Sequence, residues 1–168
     1  MHFYAISEAS FLHTIVNISF SIERIVLALW VGGLWSVGFL VAPELFRSLE
    51  SRQVAGTIAG NLFAVMNYCG LIAGTILLVL AHKQHSWRSY RQWRTLLIVV
   101  MLMLVGISQF LLAPMMQEIK PEWLATAAVS AHAHKQFAVL HGVSSVLYLF
   151  ISASGLVLVV AGATRRTD

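Results

Sequence analysis

Three polar side chains interrupt the apolar runs of this chain where chemistry could be done: Asn67, Gln109 and His141. Two amides and an imidazole offer donors and acceptors to a polar solute or ion but no strong nucleophile. Counted inward from the nearby prolines and loop ends at about 1.5 Å per helical residue, they share a depth of about two turns. An intramembrane polar layer of this kind is a functional-site candidate by default. His141, Ser145, Tyr148, Ser152 and Gly155 recur at intervals of three and four, which places them on one helical face. Glu44 would stand at the mouth of a path lined by Asn67, Gln109, His141, Ser145 and Tyr148. The competing reading is interhelical hydrogen bonding, which often contributes only about 0.6 kcal/mol per contact.

A second constellation is the soft-ligand set His132, His134, Met115 and Met116. Imidazole with thioether suits copper, particularly the reduced ion. Spacing works against one shared ion. His134 and His141 lie about 10.5 Å apart along a helix, whereas ligands sit about 2 Å from a metal. A bis-histidine haem has one plain intramembrane histidine, so its second axial ligand would be a methionine or a loop histidine. There is no phosphate-cradling glycine loop, no metalloprotease motif and no nucleophile–base–acid set, which argues against an enzyme. Glu44, Arg47, Glu50 and Arg52 read as solvated ion pairing.

These groups need elements to hold them. Of 168 residues, 58% are apolar and 11% charged, less than half the charge of a soluble domain. Four runs, 25–42, 54–81, 95–113 and 137–163, can each cross a hydrocarbon core of about 30 Å. Backbone groups in lipid must be satisfied internally, so these runs are helices. The expected fold is all-α: an integral membrane four-helix bundle over 23–163, with an interfacial amphipathic helix at 1–22 and a short tail at 164–168. Phe11, Ile15, Ile18 and Ile22 supply the apolar face of the first segment. The lone Cys69 reads as a small packing residue. The net charge of +4 is spread through loops and is not a nucleic-acid signature.

Part of the chain reads as a phrase written twice. Phe39-Leu40-Val41-Ala42-Pro43 returns 71 residues later as Phe110-Leu111-Leu112-Ala113-Pro114. Phe63-Ala64-Val65-Met66-Asn67 returns 74 residues later as Phe137-Ala138-Val139-Leu140-His141. This suggests tandem duplication of a two-helix hairpin, with chance similarity as the alternative. Pro43 and Pro114 are expected to mark where spans end. Gly56, Gly60, Gly70 and Gly74 form a small-residue face suited to close helix packing. Seven Lys and Arg lie on the side of the termini and loop 82–94, against four opposite. The positive-inside rule then places both termini in the cytoplasm.

The stretches Leu29-Trp30-Val31-Gly32-Gly33, Val41-Ala42-Pro43-Glu44-Leu45-Phe46, 55–63, 109–116 and 140–145 together resemble a bacterial membrane family of unknown function related to eukaryotic transmembrane protein 205. The resemblance implies a multi-pass, four-helix protein of the bacterial inner membrane, without a settled chemistry. The eukaryotic relative's association with platinum resistance points toward soft metals or trafficking, by analogy alone. The functional expectation is a small permease or export factor for a soft metal or small solute, working as a homo-oligomer in the lipid bilayer. The alternative is a non-catalytic module that binds lipid or a partner membrane protein through its glycine faces. No cofactor is expected, with copper or haem as the open exceptions.

Overall fold

The computed structural model describes residues 2–83, 89–125 and 131–163, with side chains described over 18–82, 92–119 and 135–162. Every described element is helical. The first rod is α1 (His2–Trp35), a π-helical turn (Ser36–Val41) and α2 (Ala42–Ser48). The second rod is α3 (Arg52–Lys83). The third is α4 (Ser89–Ile107), a second π-helical turn (Ser108–Leu112) and α5 (Ala113–Ala125). The fourth is α6 (Ala131–Ala163). Among the described residues four stretches are long and apolar enough to cross a membrane: Ile18–Ser48, Arg52–His82, Gln92–Ile119 and Lys135–Gly162. The protein is an all-α, four-helix membrane bundle.

The rods form a closed ring in chain order. α1 packs on α3 and α6, and α4 packs on α3 and α6. Rods one and two make hairpin A; rods three and four make hairpin B. Ser51 begins α3 by accepting the Val54 amide on its Oγ at 3.4 Å, an N-cap that satisfies one orphan donor. Helix α1 continues from His2 through Trp35 without a break at the expected 1–22 boundary. The side chains that would define an interfacial face lie mostly outside the described residues, as does the tail 164–168.

The centre is dry. Leu34, Leu77, Met101, Val105, Ile151 and Leu158 are almost fully enclosed, with Trp30 and Val31 beside them. The outward faces carry Leu29, Leu40, Ile72, Leu96, Met103, Phe110 and Phe150, all largely exposed. Acyl chains are as apolar as leucine, so this arrangement does not hold the rods together by burial; close packing and buried polar contacts must do so.

Pro43 and Pro114 do not end their helices. Each follows a π turn, and the helix continues through Pro43 to Ser48 and through Pro114 to Ala125. An α-helix would set the proline ring against the carbonyl four residues back. One widened turn relieves the clash: Ala42 donates to Val37 O and Ala113 to Ser108 O, each five residues back. The next donor in that register would be Pro43 or Pro114, which have no N–H. Gly38 O and Gln109 O are therefore the carbonyls denied a proline donor, at equivalent places in the repeated phrase.

Candidate functional site

Asn67 and Gln109 come together. The Asn67 side chain on α3 donates from Nδ2 to Gln109 Oε1 at 3.2 Å. Gln109 is 9% exposed and sits within the second π turn; Asn67 is half-buried. The pair joins hairpin A to hairpin B inside the membrane-spanning region. Asn67 Oδ1 and Gln109 Nε2 take no part in this bond, so the pair retains one acceptor and one donor atom beyond it.

Tyr148 is the reciprocal contact. It reaches from α6 across to hairpin A, where its hydroxyl donates to Leu34 O. Its ring lies over Gly38, inside the first π turn, and meets Phe63 edge-on at 4.9 Å. Any side chain at Gly38 would collide with the Tyr148 ring. Each π turn thus receives a polar side chain from the opposite hairpin. Trp35 reinforces the same seam by donating from Nε1 to Ser152 O at 3.4 Å, with its ring 4.8 Å from that of Phe39. The indole is part-exposed at the seam rather than packed in the core.

His141 does not join the amides. It is exposed in the isolated chain, and its ring stacks on Phe137 of its own helix, centroids 6.1 Å apart and planes 9° from parallel. Ser145 is exposed and turns its hydroxyl back to His141 O at 2.8 Å. The physical cause is the path of the first rod. Beyond its π turn α2 packs on α3, and among the described residues no substantial packing joins α2 to α6 at this edge. Glu44 is also exposed, with Arg47 at 2.9 Å and Ser48 Oγ at 2.7 Å. That agrees with a solvated local ion pair.

The glycine face divides between two neighbours. Gly70 lies under Trp30 of α1, whose Nε1 would be 2.8 Å from an added Cβ; Gly74 lies under Leu102 of α4, with Cδ2 at 2.6 Å. Gly56 has Phe46 nearby, at 3.8 Å from the place of a Cβ, and Gly60 is exposed. Positions four apart on a helix lie about 40° apart, so one stripe at the ring's centre can serve both adjoining rods. Cys69 corrects the packing expectation: it is exposed, turned about 100° from the Gly70 face. The side chains of His132 and His134 lie outside the described residues. Met115 is exposed and Met116 half-buried. Among the described residues no three His, Cys, Asp or Glu side chains gather as a metal set.

The structure adds a second polar cluster, at the other end of the bundle. Arg94 on α4 pairs with Glu23 on α1 at 3.0 Å, the side chains 12% and 18% exposed. Arg24 donates to Gly162 O, in the last turn of α6, at 2.9 Å. Glu23, Arg24 and Arg94 all fall inside spans. Counting basic residues by loop treats Arg24 and Arg94 as orientation signals and passes over this contact. The available clue was an acidic residue at the edge of an apolar run, which rarely stays unpaired.

The chain matches the family described as a domain of unknown function (DUF4149) over residues 25–125. It belongs to that family of uncharacterised domains, and its four apolar spans make it an integral, multi-pass membrane protein. The matched region includes both π turns, Asn67 and Gln109, but not α6 with Tyr148 and His141. No curated protein matches the chain. No solved structure matches it.

Proposed function

We propose that the protein is a small permease or export factor of the bacterial inner membrane, with its termini in the cytoplasm, handling a small polar solute or soft metal. The observation carrying this reading is the pair of proline-interrupted helices at corresponding places in two halves. In membrane transporters such matched interruptions mark binding sites, because freed carbonyls and helix ends there can meet a solute. Here the interruptions lie beside Asn67, Gln109, Tyr148 and Gly38. Among the described residues, apolar side chains fill the centre of one chain. A homo-oligomer, or movement between the hairpins, supplies a path.

Asn67→Leu or Gln109→Leu leaves the remaining amide without its partner and is expected to reduce solute flux about tenfold, from a loss of roughly 1.5 kcal/mol. The measurement is accumulation of copper(I), a platinum complex and a panel of small organic cations in cells, at matched expression. Unchanged accumulation of every solute in both variants would refute transport through this site.

The second reading is a module that binds lipid or a partner membrane protein. It is favoured by exposed polar or small positions within the spans, His141 and Gly60. Under it, Gly60→Leu dissolves a complex recovered after mild detergent extraction, while Asn67→Leu leaves that complex intact. Recovery of the same complex from Gly60→Leu cells would rule the face out.

A further inference from the structure

We infer that the two π turns are paired hinges, and that Tyr148 and the Asn67–Gln109 pair are the latches closing the hairpins at that level. The idea rests on the transport reading for its purpose, but the motion itself can be measured without a solute. A helix missing one rung of its hydrogen-bond ladder bends there more readily than elsewhere, and π turns with proline are recurrent sites of such bending. Both rods that lead from the terminal end have this interruption, 71 residues apart and in the same register.

Beyond the hinges the two hairpins are separate units. Helix α2 packs on α3, and α5 packs on α6. Among the described residues no substantial packing joins α2 to α5 or α6. Across the gap the latches are reciprocal. Asn67 of hairpin A holds Gln109 in the π turn of hairpin B. Tyr148 of hairpin B holds Leu34 O, just before the π turn of hairpin A, and covers Gly38 within that turn. Below the hinges the hairpins are fastened by Glu23–Arg94 and by Arg24 on Gly162 O. Movement is therefore confined to the proline end.

The edge of α6 shows what opening would uncover. His141 and Ser145 are exposed, Tyr148 is half-buried, and Ser152 is 1% exposed with an Oγ that has no partner among the described residues. Exposure falls along one polar edge, from His141 and Ser145 through Tyr148 to Ser152. A hydroxyl left unpaired in an apolar interior gains a hydrogen bond when water or a polar solute reaches it. Release of Tyr148 brings Ser152 into contact with the proline-end opening.

The test uses the full chain in lipid nanodiscs with Cys69→Ser as background. Ser152→Cys reports the seam; Ala73→Cys, a buried position nearer the Glu23–Arg94 end, reports general loosening. The readout is the ratio of their maleimide labelling rates. Tyr148→Phe removes the latch hydroxyl and is expected to raise the ratio about tenfold. Pro43→Ala restores the missing donor, stiffens the hinge and is expected to lower the ratio below the parent's. A ratio unchanged by Tyr148→Phe, including the case where both reporters accelerate together, would overturn the latch. A ratio unchanged by Pro43→Ala would overturn the hinge. Because no solute is present, either failure is distinct from failure of the transport reading.

Discussion

Glu23→Ala is expected to lower the stability of the folded bundle by about 3 kcal/mol, among the largest effects any single side-chain truncation should have here. The reason is not the strength of the ion pair as such. Both side chains are more than four-fifths enclosed, and the Arg94 Nε is already buried without a partner among the described residues. Removing the carboxylate leaves a guanidinium with no counter-charge in a low-dielectric setting, which is far more unfavourable than removing both groups. Arg94→Ala should therefore destabilise by a similar amount. The double variant Glu23→Ala with Arg94→Ala should be more stable than either single one. Thermal unfolding in detergent, followed by fluorescence-detected size exclusion, measures all four proteins. Additive losses in the double variant would show that the two groups do not act as a pair. High salt should change the parent little, since enclosed pairs are weakly screened.

Gly155→Leu is the second large effect, expected to cost about 3 kcal/mol or more through overpacking. Gly155 is buried on α6, where an added Cβ would meet Val31 Cγ2 at 2.7 Å and Met101 Cε at 3.5 Å. Methionine can move aside, but Val31 is β-branched, 5% exposed and held at χ1 by its own helix. The rod would have to shift, opening the contact of α6 with both α1 and α4. Gly106 and Gly142 are the internal controls, because nothing lies within 4 Å of an added Cβ at either position. Their alanine variants should be neutral or more stable by up to roughly 1 kcal/mol, the helix preference of alanine over glycine. If Gly155→Leu and Gly142→Ala melt together, the glycine has no packing role.

Much of the architecture was legible in residue order. A bilayer permits helices or closed barrels only, and four apolar runs of sufficient length leave the helical choice. The partnership of Asn67 with Gln109 was also within reach: equal depth on neighbouring rods, counted at a fixed rise per residue, placed the amides in one layer, but it placed His141 there too, and His141 does not meet them. The inward direction of Tyr148 followed from three-and-four spacing. The same spacing put His141 on that edge, yet His141 is exposed, because spacing reports direction from a helix axis and not whether another rod is there to cover it. The prolines show a related gap. Sequence supplies the missing donor but not the choice between ending a helix and widening one turn, which depends on the neighbours that brace the continuation. Gly60 and Gly70 look equivalent by composition, and only the crossing of α1 near Trp30 separates them.

Order along the chain determined the bilayer setting, the number of crossings and the repeated proline phrase, since each depends on local composition and covalent chemistry. Tertiary structure alone decided that α2 leans on α3, that Tyr148 lands on the opposite π turn and that Glu23 finds Arg94. Those outcomes depend on how four rods share volume, a property of their mutual packing that no single rod contains.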